Sequence, residues 1–229
     1  MIDFIHSFLF GIYPYIALVS LFLGTLIRYD REQYSWQASS SQILSDKGLA
    51  IGNIFFHLGI IFIFMGHFVG LLTPHALYEH FIKAEQKQML AIVAGGIAGV
   101  FGFIGLSILL SRRLGNARIR ATSSPLDILI LFLLWLQMML GLITIPFSLS
   151  HHDATQMLNL SQWAQHILTF RSGAADFIKD ADWIFKCHLF LGLTILLLFP
   201  FTRLVHMLSI PAKYLPRPLQ IVRSRQARR

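Results

Sequence analysis

Cysteine is almost missing: Cys187 is the only one in 229 residues. A single thiol excludes an intramolecular disulfide framework and any iron–sulfur cluster held by four cysteines of this chain. Cys187 reads as a small apolar residue of a helix. Charge is nearly as scarce. Charged residues make up 13% of the chain and hydrophobic ones 55%, whereas a soluble domain carries roughly a quarter charged residues. Acidic groups are the rarer sign, 11 against 19 Lys and Arg. No internal repeat or low-complexity segment stands out. Together these shortages exclude a soluble catalytic domain.

What is present is apolar residues in long blocks. A membrane span needs about 20 mostly apolar residues, and five stretches qualify: about 4–27, 50–72, 89–110, 128–149 and 184–209. The expected fold is all-α, a polytopic bundle of five transmembrane helices forming one membrane domain over 1–229. The first span is expected to stay in the protein. It has Asp3 where a signal peptide would have a basic segment, and its apolar core is longer than a signal core.

Net charge is +8, and its placement sets an expected topology. With five spans the termini lie on opposite sides. One side receives Arg28, Arg31 and Lys47, then Arg112, Arg113, Arg118 and Arg120, then Arg203 and the basic tail 210–229. That tail carries Lys213, Arg217, Arg223, Arg225, Arg228 and Arg229. The other side has only Lys83, Lys87, Arg171, Lys179 and Lys186. Positive charge marks the cytoplasmic side, so the N-terminus is expected outside and the C-terminus in the cytoplasm. Membrane lipid, rather than nucleic acid, is the expected partner of the tail.

The second span carries His57 and His67, and the fifth His188 and His206. Ionisable residues within a span are costly and mark functional candidates. His57 and His67 are ten residues apart, ~15 Å along a helix at 1.5 Å per residue. One metal ion cannot bind both. In antiparallel helices His67 meets His188 in the outer half, and His57 meets His206 in the inner half. Imidazole suits iron, and facing helices of a bundle are a known place for cofactors. Two haems between the second and fifth spans are therefore expected, against the competing reading of four interhelical hydrogen-bonding histidines. The fit is imperfect, because His188 and His206 are ~27 Å apart on a straight helix. Pro200, between them, is expected to kink the span. Arg203, three residues before His206, is expected to meet an inner-haem propionate or to snorkel to the interface. His6, His75, His80, His151, His152 and His166 fall near or beyond the outer interface and read as solvated.

Other segments carry local expectations. Pro14 is expected to bend the first span. Glycines of the third span, Gly95 to Gly105, read as a packing face of small residues. Ser124-Pro125 reads as the start of the fourth span. In the connection 148–183, Leu160, Trp163, Ala164, Ile167 and Leu168 share one face of an expected amphipathic helix at the outer interface.

Six blocks in order give a specific resemblance: IYPYIA, RYDREQYSWQASSSQ, HLGIIFIFMGHFVGLLTPH, RIRATSSPLDILIL, GLITIPFS and HLFLGLTILLLFPFTRLVH. The chain resembles the gamma subunit family of membrane-bound respiratory nitrate reductases, which are dihaem cytochromes b, over nearly its whole length. The resemblance implies a bacterial inner-membrane protein with two b haems, ligated by His57, His67, His188 and His206. It also implies quinol oxidation near the outer haem, at a site that includes Lys87. Electrons would then pass to an iron–sulfur beta subunit and on to a molybdenum-containing alpha subunit that reduces nitrate. Within the same class stands the membrane cytochrome of another quinone-linked complex, such as a sulfur-compound or heterodisulfide reductase. A proton-relay transporter and a passive anchor are the readings without redox chemistry.

Overall fold

The computed structural model describes residues 2–36, 41–150 and 153–209. The basic tail 210–229, His151 and His152 lie outside the described residues. Among the described residues the chain is helical, without strands. Five helices are long and apolar enough to cross a membrane. In chain order we label α1 (Asp3–Arg31), α2 (Leu49–Leu72), α3 (Ala84–Gly115), α4 (Pro125–Ser150), a shorter α5 (Thr155–Leu168) and α6 (Trp183–Leu198).

Helix α1 is not uniform. It widens into π-turns at Phe8–Ile12 and Ser20–Gly24. Pro14 lies two residues after the first, in the opening turn of the next α-helical stretch, where the missing N–H is tolerated. α1 lies along α6 and is joined to it by polar contacts. The Tyr13 hydroxyl is 2.9 Å from Thr194 Oγ1, and Ser20 donates to the Leu197 carbonyl at 2.8 Å. With no water competing in a bilayer, such bonds hold helices together.

Helices α2 and α3 form the closest pair, and glycine makes it possible. A Cβ on Gly59 would sit 2.5 Å from the Gly102 nitrogen and 2.6 Å from the Ala98 carbonyl. One on Gly105 would collide with the backbone of Phe56 and Gly52. Backbone therefore meets backbone, as the small-residue pattern of the third span implied. α3 is longer than its expected span at both ends. A polar first turn is capped when Lys83 N–H donates to Gln86 Oε1 at 3.2 Å, and a last turn carries Arg112 and Arg113. α4 also packs on α3, with the Trp135 indole donating to Ser107 at 2.9 Å. α4 begins at Pro125, where Ser124 Oγ accepts from the Asp127 N–H at 3.1 Å.

The amphipathic segment is the helix α5, but its apolar side closes one end of the bundle instead of lying free at an interface. Trp163, Ala164 and Ile167 are buried with Phe10, Ala17 and Leu193. The Trp163 indole donates to the Phe10 carbonyl at 2.9 Å, inside the first π-turn. Ser161 and Gln165 donate to the Leu71 carbonyl at the end of α2. A buried face of this size is better satisfied by a bundle end with unpaired carbonyls than by headgroups. Leu168 alone of the predicted face stays exposed.

The fifth span differs most from expectation. It does not continue as one kinked helix to residue 209. The α-helix stops at Leu198, tightens into a 3-10 turn at Phe199–Phe201, breaks at the extended Thr202 and resumes as 3-10 over Arg203–Leu208. Pro200 has no N–H to donate and its ring obstructs the preceding turn. The carbonyls freed by the break are taken by Arg28, whose Nη1 donates to Pro200 O at 2.6 Å and Thr202 O at 2.8 Å. Thr202 Oγ1 restarts the chain by accepting from the Leu204 N–H at 3.3 Å.

Two outcomes check this fold. Gly59→Leu drives a side chain into backbone and is expected to destabilise the bundle by at least about 1–3 kcal/mol. It should lower folded yield in membranes and the midpoint of thermal unfolding, whereas Gly95→Ala, which meets nothing within 4 Å, should change neither. Arg28→Gln removes charged donors worth about 1.5–3 kcal/mol each. Amide hydrogen exchange should accelerate over 199–208 and stay unchanged over 183–192.

Candidate functional site

The four in-span histidines converge as two pairs. The ring centres of His57 and His206 are 6.5 Å apart and those of His67 and His188 are 6.1 Å apart. The break at Thr202 replaces the straight helix on which the histidine spacings did not match. α2 makes its main contacts with α3 and with α5, so its histidine face does not seal against α6. His57 and His67 are exposed, and His188 and His206 half-buried. Added Cβ atoms at Gly66 and Gly70, flanking His67, would meet nothing within 4 Å.

Ring chemistry singles out one nitrogen on three of the four. The Nδ1–H of His57 donates to the Asn53 carbonyl at 2.8 Å, and that of His67 to the Ile63 carbonyl at 2.9 Å. His206 Nδ1–H donates to the Arg203 carbonyl. A carbonyl only accepts, so each Nδ1 carries a proton, and in the neutral ring Nε2 is then the nitrogen that presents a lone pair. Tying the far nitrogen to a carbonyl is how ligating histidines are commonly oriented. His188 departs from this pattern, because its buried Nδ1 has no partner.

These residues fit a metal held between two rings. A metal–imidazole bond is about 2 Å, which leaves ring centres on opposite sides of one ion roughly 6 Å apart. Both observed separations match. Among the described residues no group of three or more His, Cys, Asp or Glu surrounds a common point, so the fit is to an ion whose other ligands come from elsewhere. A haem supplies four equatorial nitrogens. The open, small-residue face of α2 has room for a flat macrocycle. A separate cavity of about 640 Å³ lies beyond the end of α2, lined by Leu72, Pro74, Gln165, His166, Arg171 and Phe177, and includes neither pair.

The two ends differ in chemistry. At the His67 end, Lys87 Nζ donates to the Gly70 carbonyl at 3.1 Å and lies 3.6 Å from the centre of the Tyr78 ring. A cation over an aromatic face is held by the ring quadrupole. Burial, and the Glu79 carboxylate beside it, push the Tyr78 phenol above its usual value. Tyr78 was not singled out by the sequence. Its offset of nine residues from Lys87, across a turn, is not a helical repeat. At the His206 end, Arg203 Nε is 3.1 Å from Asp127 Oδ1, and Arg113 reaches the same carboxylate at 4.0 Å. Arg203 therefore already has an acidic partner.

Most of the other basic and histidine side chains meet groups of the protein itself. Arg28 serves α6, and Arg112 binds the Ser41 hydroxyl at 2.7 Å together with the Ser45 carbonyl. Arg118 and Arg120 stay exposed. His6 bonds the Ala175 carbonyl at 2.9 Å, His75 pairs with Glu79 at 2.9 Å, and His166 meets Phe177 edge-on. Gln137 on α4 was missed. It contacts His188, and a single amide within the run ILILFLLWLQMMLGLI was the available signal.

Comparison with known proteins gives a consistent result. The family model described as nitrate reductase gamma subunit matches residues 6–225. The chain is 50% identical to the respiratory nitrate reductase 2 gamma chain of Escherichia coli K12, over 99% of this chain and 100% of that one. It is 49% identical to the respiratory nitrate reductase 1 gamma chain of the same organism, over 97% and 99%. It is 38% identical to the nitrate reductase gamma chain of Bacillus subtilis 168, over 95% and 97%.

Proposed function

The chain belongs to the nitrate reductase gamma subunit family, and from that premise we propose which of its residues perform the subunit's work. It is the membrane-embedded, cytochrome-b-like electron-transfer subunit of a nitrate reductase, without the molybdenum site. Membership supports haem b as its cofactor and iron–sulfur beta and molybdenum alpha subunits as its partners. The observation that carries the finer reading is the matched separation of the two histidine pairs, 6.5 and 6.1 Å. His67 and His188 would ligate one b haem, and His57 and His206 a second. When bound, these groups would accept and release single electrons between a membrane quinol and the iron–sulfur subunit.

The protein's own residues would then do the following. The carbonyls of Asn53, Ile63 and Arg203 hold Nδ1 of three ligands and so orient each ring with Nε2 turned away from its own helix backbone. Lys87, with one N–H on Gly70 and its charge over Tyr78, retains donors for a quinol oxygen. It would stabilise the charge that develops there as protons leave. The positive-inside distribution supports a reading in which this end lies outside, with the N-terminus in the periplasm and the C-terminus in the cytoplasm. Proton release outside with electron exit inside conserves energy, because each electron crossing the full membrane works against about 2.3 kcal/mol per 100 mV. Arg203 would meet a propionate by exchanging Asp127 for it. Exposed Arg118 and Arg120, with the tail 210–229, form the proposed docking surface for the iron–sulfur subunit.

Single alanine replacements test the pairing. Optical spectra of His67→Ala and His188→Ala should lack the same haem, and those of His57→Ala and His206→Ala the other. A crossed pattern, in which His57→Ala and His188→Ala lose one haem together, would overturn it. Lys87→Ala should slow quinol-dependent haem reduction at least about tenfold with both haems retained. Artificial donors that reduce the partner subunits directly should still support nitrate reduction. Normal quinol kinetics in that variant would remove Lys87 from the site.

A further inference from the structure

His188 lacks what the other three histidines have, a main-chain carbonyl on its Nδ1, and a neighbouring helix supplies a different device. On α4, Gln137 and Gly141 stand one turn apart. On α6, His188 and Gly192 stand one turn apart. The four interlock. The His188 ring lies against Gly141, where an added Cβ would be 3.1 Å from Cε1. The Gln137 amide lies against Gly192, where an added Cβ would be 3.1 Å from its Nε2. Each large side chain thus fills the space left by the other helix's glycine.

Hydrogen bonds complete the lock. The Gln137 amide donates to the His188 carbonyl at 3.0 Å and approaches His188 Nε2 at 3.4 Å. The Gln137 Oε1 and the His188 Nδ1 are both buried without a partner. Unpartnered polar atoms in a span are expensive, and placing both beside one candidate ligand is what a site built for another occupant does. An Nε2 bonded to iron cannot also accept from Gln137. The bond to the main-chain carbonyl survives that exchange, so the amide keeps the backbone of α6, and with it the ring's seat against Gly141, in place.

We propose that Gln137 is a positioning residue which, with Gly141, fixes the plane of the His188 imidazole and thereby sets the properties of the haem at the His67–His188 end. This rests on the reading, proposed above, that His188 would ligate a haem. The inner pair has carbonyl partners on both rings and no such lock, so the effect belongs to one haem only. The amide's N–H end faces the ring, and the positive end of that dipole favours the reduced, less positive iron.

The test uses the assembled complex in membranes, with Gln137→Met, which keeps volume but removes the amide, and Gly141→Ala, which presses on Cε1. Both haems should remain. The low-spin electron paramagnetic resonance signal of the His67–His188 haem should shift in both variants, and in Gln137→Met its midpoint potential should fall. The signal and potential of the other haem serve as the internal control for folding and should not move. Unchanged signals and potentials in both variants would overturn the proposal, as would equal shifts at the two haems, which would mark a general loosening. His188→Ala separates the premise from the inference: retention of that haem in His188→Ala would overturn the ligand assignment itself.

Discussion

The contact of α2 with α3 is the constraint from which the site follows. Because Gly59 and Gly105 let the two backbones touch, α2 is anchored by one narrow face. Away from that contact, His57 and His67 stay exposed rather than buried against α3. Had α2 been held by bulky residues on two sides, His57 and His67 would have been absorbed into interhelical packing. The same helix uses glycine in two ways. Gly52 and Gly59 are buried in the contact, while Gly66 and Gly70 stand beside His67 with nothing opposite them.

The partner helix reaches its two histidines differently. His188 sits on regular α-helix against α4, whereas His206 lies beyond a break that no regular helix spans. That break depends on a single arginine. Arg28 satisfies Pro200 and Thr202 carbonyls that would otherwise face an apolar surrounding, where each unsatisfied group costs several kcal/mol. The asymmetry continues at the ends. One is lined by a lysine, a tyrosine ring and a carbonyl, suited to a neutral donor that sheds protons. The other is lined by arginines around Asp127, suited to acidic groups.

The histidine pairs and the five spans were legible in the sequence because both depend on depth and composition, which a helix converts directly into position. The amphipathic face of α5 was legible for the same reason, although not the surface it covers, since Phe10 and Leu71 are distant in the chain. The loss of helix after Leu198 was legible only as a kink: Pro200 marks the place, but whether a chain bends or breaks depends on whether a donor such as Arg28 is at hand. Arg28 and Arg112 read as topological charge and turned out to bind carbonyls. Gln137 and Tyr78 act across helices and turns, where spacing along the chain carries no information.

The central claim is that two imidazole pairs, His67 of α2 with His188 of α6 and His57 of α2 with His206 beyond the break, each hold one haem. The most direct measurement is the haem content of the purified wild-type complex, by reduced-minus-oxidised and pyridine haemochromogen spectra, with paramagnetic resonance of the oxidised form. The account predicts two b haems per chain, both low-spin with two nitrogen ligands. A single haem per chain, or a high-spin signal showing an iron with one protein ligand, would contradict it.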